Sequence, residues 1–169
     1  MINNQAIYQE YMNTYRELLQ LLSAFSQEQL NTPPAAGSWT AAQVGRHLQK
    51  GAIADAIEAP GAPTLRAPDE KEAAIKSVFL DFSTKLQSPD FVIPEPGEYN
   101  KQQLLQEMEA MVHRTGKAIQ AQDLSMTYTG FDFPQMGQLT KLEWVCFAVS
   151  HAKRHIRQVK RIYEVVVRN

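Results

Sequence analysis

Four histidines, His47, His113, His151 and His155, are the residues of this chain whose type and spacing point to chemistry. His151 and His155 form a His-x-x-x-His pair, and at roughly 100° per helical residue both imidazoles lie on one face. Two such rings reach a single ion readily, since zinc–nitrogen bonds of about 2.0–2.1 Å ask for only small rotamer adjustments. The spacing alone is a weak signal, because two partly buried histidines hydrogen-bonded to neighbouring helices would show it too. His47 shifts the balance. It lies at the edge of an apolar stripe of Val44, Leu48 and Gly51, and Gly51 one turn later leaves space beside its ring. Two inward histidines on one helix and a third on another make a candidate facial triad for one divalent metal ion. His113 serves as a control: its phase falls roughly 140° from the apolar stripe of its own helix, so it should face water.

Three neutral imidazoles leave at least one coordination position open. That is the arrangement of a catalytic zinc site, whereas structural zinc sites close with four ligands. Zinc lowers the pKa of a bound water to roughly 7, and nickel or iron also accept three nitrogens. Zinc is the first expectation and nickel the second. Gln158, one turn beyond His155 on the same strip, is the candidate catalytic neighbour, placed to hydrogen-bond a water on the ion or a substrate. A strut behind the imidazole is its other reading. Asp55 could orient an imidazole or be a solvated carboxylate, and Tyr11 and Tyr15 read as core. No residue stands out as a general base.

These side chains must be positioned by helices. The first is expected from about Asn4 to Phe25, on the stripe Ile7, Tyr8, Tyr11, Tyr15, Leu18, Leu19, Leu22 and Phe25. A short helical turn at Ser26 to Leu30 precedes Pro33 and Pro34. The second opens at Thr40, where Thr40 and Gln43 form a capping box, and runs to about Glu58, with Ala41, Val44, Leu48, Gly51 and Ala52 as its apolar face. The third spans about Asn100 to Ala121. The fourth starts at Thr140 with a Thr40-like box closed by Glu143 and reaches about Val166. Its inward strip is Trp144, Phe147, Ala148, His151, His155, Gln158 and Ile162. A second apolar flank, Val145, Val149, Ala152, Ile156 and Tyr163, is displaced by about 130°; it is expected to pair two copies as a homodimer, unless the chain's own bundle covers it. The basic run Lys153 to Arg161 reads most simply as a solvated face, with binding of an anionic ligand as the second reading.

Residues 60–97 carry prolines at 60, 63, 68, 89, 94 and 96. They read as a long crossover with a helical stretch between Asp69 and about Lys85. The expected architecture is therefore all-α, a four-helix bundle in one domain over 1–169, with the long crossover between its second and third helices.

Composition narrows the function. With 17 basic and 18 acidic side chains the formal net charge is −1, which carries no nucleic-acid footprint. Cys146 is the single cysteine, so no intrachain disulfide forms, as fits a reducing compartment. No window reaches the roughly 18 apolar residues of a membrane span, and Met1 to Glu10 lacks the pattern of a signal peptide. A cytoplasmic location is the expectation.

Two segments resemble the DinB-like superfamily, also called the DinB/YfiT-like metalloenzymes. One is Gly37-Ser-Trp-Thr-Ala-Ala-Gln-Val-Gly-Arg-His-Leu48, similar to that family's tryptophan-led start of helix two with its histidine. The other runs from Phe133-Pro-Gln-Met-Gly-Gln-Leu-Thr140 through Glu143, Trp144 and Phe147 to His151-Ala-Lys-Arg-His155-Ile-Arg-Gln158. The resemblance extends over nearly the full length, and residues 60–97, long for a crossover, are its chief departure. It implies an up-down-down-up bundle, a metal held by His47, His151 and His155, and frequent pairing as dimers. The open three-nitrogen site is itself expected to serve a metal-dependent transferase or hydrolase acting on a small-molecule substrate. A low-molecular-weight thiol is one candidate partner, since related branches include S-transferases that use bacillithiol. A non-catalytic module binding a metal or small ligand is the alternative.

Overall fold

Capping residues divide the sequence into helices. In the computed structural model, which describes residues 2–168, α1 spans Asn4–Ser23, α2 Gln27–Leu30, α3 Ala41–Lys50, α4 Ala54–Glu58, α5 Glu72–Phe79, α6 Lys101–Ala121 and α7 Lys141–Val166. The Thr40 and Thr140 side chains accept from the Gln43 and Glu143 N–H groups, and the Gln43 and Glu143 side chains accept in return from the cap N–H groups. Both boxes thereby satisfy donors that a bare helix start would leave unpaired. Ser26 and Gln29 build a third box at α2. Among the described residues there is no strand, only isolated bridges such as Ala62 with Thr127.

Side-chain pairs fix the direction of each long helix. Asn4 at the start of α1 reaches the carbonyls of Ile119 and Gln122 at the end of α6, and Lys101 reaches those of Ser23 and Phe25. These two helices are antiparallel. Lys153 and Lys160 of α7 meet Glu10 and Glu17 of α1 in the same order, so α1 and α7 are parallel. Gln49 meets Glu107, and Asp55 and Glu58 meet Arg114, so α3 and α4 run with α6. The order is up-down-down-up, with α1 and α3 each packed between α6 and α7.

The core lies on the facing stripes: Leu18, Leu22, Leu30, Val44, Met108, Ile119 and Val159 are fully buried, as are Tyr11 and nearly so Tyr15. Each buried leucine or isoleucine contributes about 1.5–3 kcal/mol relative to exposure. Gly45 permits the close approach of α3 and α6, since a Cβ there would lie 3.1 Å from Met108 Sδ.

Three expectations need correction. The second helix is not continuous to Glu58: α3 stops at Lys50, where Gly51 is the C-cap and its N–H returns to the His47 carbonyl. Ala52, expected on the apolar face, is exposed in the break. In the crossover, only Glu72–Phe79 is α-helical, because Asp81 with Ser83 and Thr84 forms a hydrogen-bonded turn that ends it. Finally, the α7 flank Val145, Val149, Ala152 and Ile156 is buried within this chain's own core, and Tyr163 packs edge-on against Phe25. That flank is not available to pair two copies.

The crossover is strapped to α7 by an ion pair whose acid is buried and whose guanidinium is partly exposed. Glu143, fully buried, accepts two hydrogen bonds of 2.6 Å from the Arg66 guanidinium and one of 2.8 Å from the Lys71 N–H. Burial alone would raise its pKa, but Arg66 and the Thr140 and Lys71 N–H groups together hold it below the ordinary carboxylate value.

Candidate metal centre

Helical phase and the antiparallel packing of α3 on α7 bring His47, His151 and His155 together. His47 is 2% exposed and His155 9%, and the ligating nitrogens of all three lie within 4.8 Å of one another, placed so that one ion could be held. The Nε2 of His151 is 3.1 Å from that of His47 and 3.0 Å from that of His155. Four-coordinate zinc with bonds of about 2.0–2.1 Å would set its nitrogens about 3.3 Å apart, so the cluster needs little adjustment to fit such an ion.

The outer nitrogens decide the tautomers. His47 Nδ1–H donates to the Val92 carbonyl at 2.9 Å, and His155 Nδ1–H donates to Gln158 Oε1 at 2.8 Å. A carbonyl oxygen only accepts, so both Nδ1 atoms carry the proton and both Nε2 lone pairs point inward. A proton on His151 Nε2 would serve only one of them, whereas a cation serves all three.

Electrostatics agree with neutral rings. Burial lowers the His47 pKa, with the Val92 hydrogen bond opposing. Burial and then His47 bring His155 down to about 4, with Gln158 opposing. Burial, followed by His155, His47 and Arg154, sets His151 well below the ordinary value. At neutral pH no proton need be displaced before a metal binds.

Aromatic rings close one side. Phe147 stacks on His151 with centroids 5.1 Å apart and planes 17° from parallel, and Phe79 meets the same ring edge-on at 5.6 Å. Trp39, 5.1 Å from His47, stands instead on the opposite, cleft side. Phe133 reaches Phe147 at 4.9 Å because a tight turn returns the chain there, its Gly137 at φ 64°. Left-handed backbone of that kind favours glycine. On the other side His155 and Gln158 border a cleft of about 780 Å³, completed by Trp39, Ile93 and the crossover segment 82–88.

The remaining candidates divide. Gln158 sits beside His155 with its carbonyl engaged, and it is one of the residues that line the cleft. Asp55 does not orient an imidazole; it is exposed on the surface and 2.6 Å from Arg114. Val92 fills that role for His47, and its Cγ1 occupies the space beside Gly51, 4.0 Å from where a Cβ would stand. Val92 was not among the sequence candidates, because a backbone carbonyl leaves no mark in residue type. His113 is exposed and lines a separate groove between α1 and α6. Cys146 is buried, and burial pushes its thiol up to about 11, so it supplies no thiolate.

A bundle of this topology with three inward histidines defines a class of protein. The sequence profile of the DinB superfamily matches residues 10–159, and the chain belongs to that superfamily. YuaE of Bacillus subtilis (strain 168) is 27% identical over 154 residues, covering 87% of this chain and 91% of YuaE. Among solved structures, YfiT from Bacillus subtilis shares the fold with a TM-score of 0.62 at 18% identity, over 97% of this chain and 89% of YfiT. YfiT is described as "a probable metal-dependent hydrolase with an unusual four-helix bundle topology". None of the described helices is long and apolar enough to cross a membrane.

Proposed function

We propose that the chain is a metal-dependent enzyme whose His47, His151 and His155 hold one divalent ion, zinc in first place and nickel in second. The observation that carries this reading is the convergence of three neutral Nε2 atoms, two of them aimed by Val92 and Gln158. Such an ion supplies Lewis acidity and lowers the pKa of a water or thiol bound to it. The chain's own residues do the rest. Val92 and Gln158 keep the imidazoles in the ligating tautomer, Phe147 and Phe79 exclude water from one side, and the Gln158 amide donates into the cleft toward a substrate.

Among the described residues no carboxylate lines the cleft, so a nucleophile that needs a strong protein base is disfavoured. Hydrolysis and transfer of a low-molecular-weight thiol, of bacillithiol type, both remain consistent with that. YfiT's description favours hydrolysis; the family's S-transferase branches favour the thiol. A purely binding role would keep the metal and lack turnover. Pairing as a homodimer, implied by family resemblance, belongs to the same reading but uses a surface other than the α7 flank. A cytoplasmic location belongs to it as well.

The test is metal analysis of protein purified without a metal-affinity column, followed by hydrolase and thiol-transfer assays. About one ion per chain is expected, and His151→Ala should lose it while helical content by circular dichroism stays intact. Full metal occupancy in that variant would remove the site assignment.

A further inference from the structure

The basic run of α7 is not one solvated face but two. Lys153 and Lys160 turn to α1 and pair with Glu10 and Glu17 at 2.8 and 2.7 Å. Arg154, Arg157 and Arg161 turn the other way and border the cleft beside His155, joined from the crossover by Lys85. Four cations line that cleft and, among the described residues, no acidic one does. On the crossover, the Asp81 carboxylate accepts from Ser83 and Thr84, and the one cleft cation its charge acts on is Arg154.

The four cations do not have equal tasks. Arg154 donates to the carbonyls of Phe79, Asp81 and Thr84 and so fixes the crossover wall, leaving its charge without a paired carboxylate. Arg157 lies over the Phe82 ring, 4.7 Å from its centroid, which orients the guanidinium without neutralising it. Arg161 and Lys85 are exposed and form no ion pair among the described residues. Arg157, Arg161 and Lys85 thus stand together without an ion-paired carboxylate among the described residues; like charges so gathered repel one another, and a bound anion relieves that repulsion.

We propose that this cleft takes a small molecule with a carboxylate or phosphate at one end, held by Arg157, Arg161 and Lys85, and with its other end directed to the histidine cluster. The proposal deepens the enzymatic reading above and rests on it for the bound molecule's role as substrate. The cleft's volume of about 780 Å³ suits a small ligand. Along α7, Arg161 is six residues past His155, about 9 Å at the helical rise. That distance sets the span between the anionic group and the reacting end. Gln158 stands between them, and Trp39, Leu86 and Ile93 give the middle of the ligand an apolar wall.

Calorimetry on the metal-loaded protein tests it with three probes: succinate, inorganic phosphate and the uncharged succinamide. Succinate or phosphate should bind, more weakly as salt rises, and succinamide should not; the tighter anion identifies the group the cleft is built for. Arg161→Gln and Lys85→Gln, both at exposed positions, should each weaken the anion at least fivefold with metal content unchanged. Lys153→Gln, on the α1 side, should leave the affinity as it was. Equal affinity in wild type, Arg161→Gln and Lys85→Gln would mean that the anion sits on the metal alone and would overturn the proposal, as would succinamide binding as tightly as succinate. Arg161-dependent anion binding by a protein that takes up no metal would uphold the anion site and overturn the metal reading instead.

Discussion

At the scale of single residues, the site depends on which ring nitrogen carries each proton. Gln158 acts on His155 through its carbonyl, so Gln158→Ala should free the ring and lower metal affinity about tenfold, the lower end for loss of an outer hydrogen-bond partner. Competition with a chelator would measure it, and unchanged affinity would leave Gln158 only its cleft-facing role. The three histidines also set a pH dependence. Their folded pKa values are lowered, His155 to about 4, so the unfolded chain takes up protons first as pH falls. Metal-free protein should therefore keep this stability above about pH 6.5 and lose it progressively toward pH 4. Urea midpoints between pH 8 and 4 check the sign; a flat profile would mean that the imidazoles are not buried as described.

At the scale of elements, the crossover matters most. It supplies the Val92 carbonyl to His47, Phe79 to His151 and the 82–88 wall to the cleft, and Arg66 ties it to α7 through Glu143. Removing Arg66 leaves a buried carboxylate without its cation. Arg66→Ala should destabilise the chain by about 2–3 kcal/mol, the modest end for a broken buried pair because the Thr140 and Lys71 N–H groups still hold the carboxylate. Denaturant unfolding reads this directly. The break at Gly51 belongs to the same design, since it ends α3 where Val92 comes in beside His47.

At the scale of the whole molecule, the up-down-down-up order sets α3 beside α7 and antiparallel to it, so that His47 meets the pair one turn apart on α7. The same packing buries the second α7 flank, with Val149 5% exposed. Val149→Asp should therefore unfold the chain, lowering stability by about 3 kcal/mol or more through an unpaired charge in the core. A variant that kept its thermal midpoint but changed its mass in light scattering would show the flank to be an interface after all.

Much of the bundle was legible in the residues themselves. Thr40 with Gln43 and Thr140 with Glu143 marked two helix starts to the residue, the stripe on α1 gave its inward face and that on α7 part of it, because caps and helical periodicity are local properties of side-chain type. The same periodicity turned His47, His151 and His155 inward and His113 outward. What only the tertiary structure decided was everything made by backbone or by distant segments. The Val92 carbonyl behind His47 has no side-chain signature, and Asp55 had the right chemistry in the wrong place. The end of α3 at Gly51 and the short span of α5 rest on local devices, a glycine C-cap and the Asp81–Ser83–Thr84 turn, that the helical stripes alone overran. The basic run looked uniform along the chain, and only the positions of α1 on one side and of residues 82–88 on the other divided it into paired lysines and a cationic cleft.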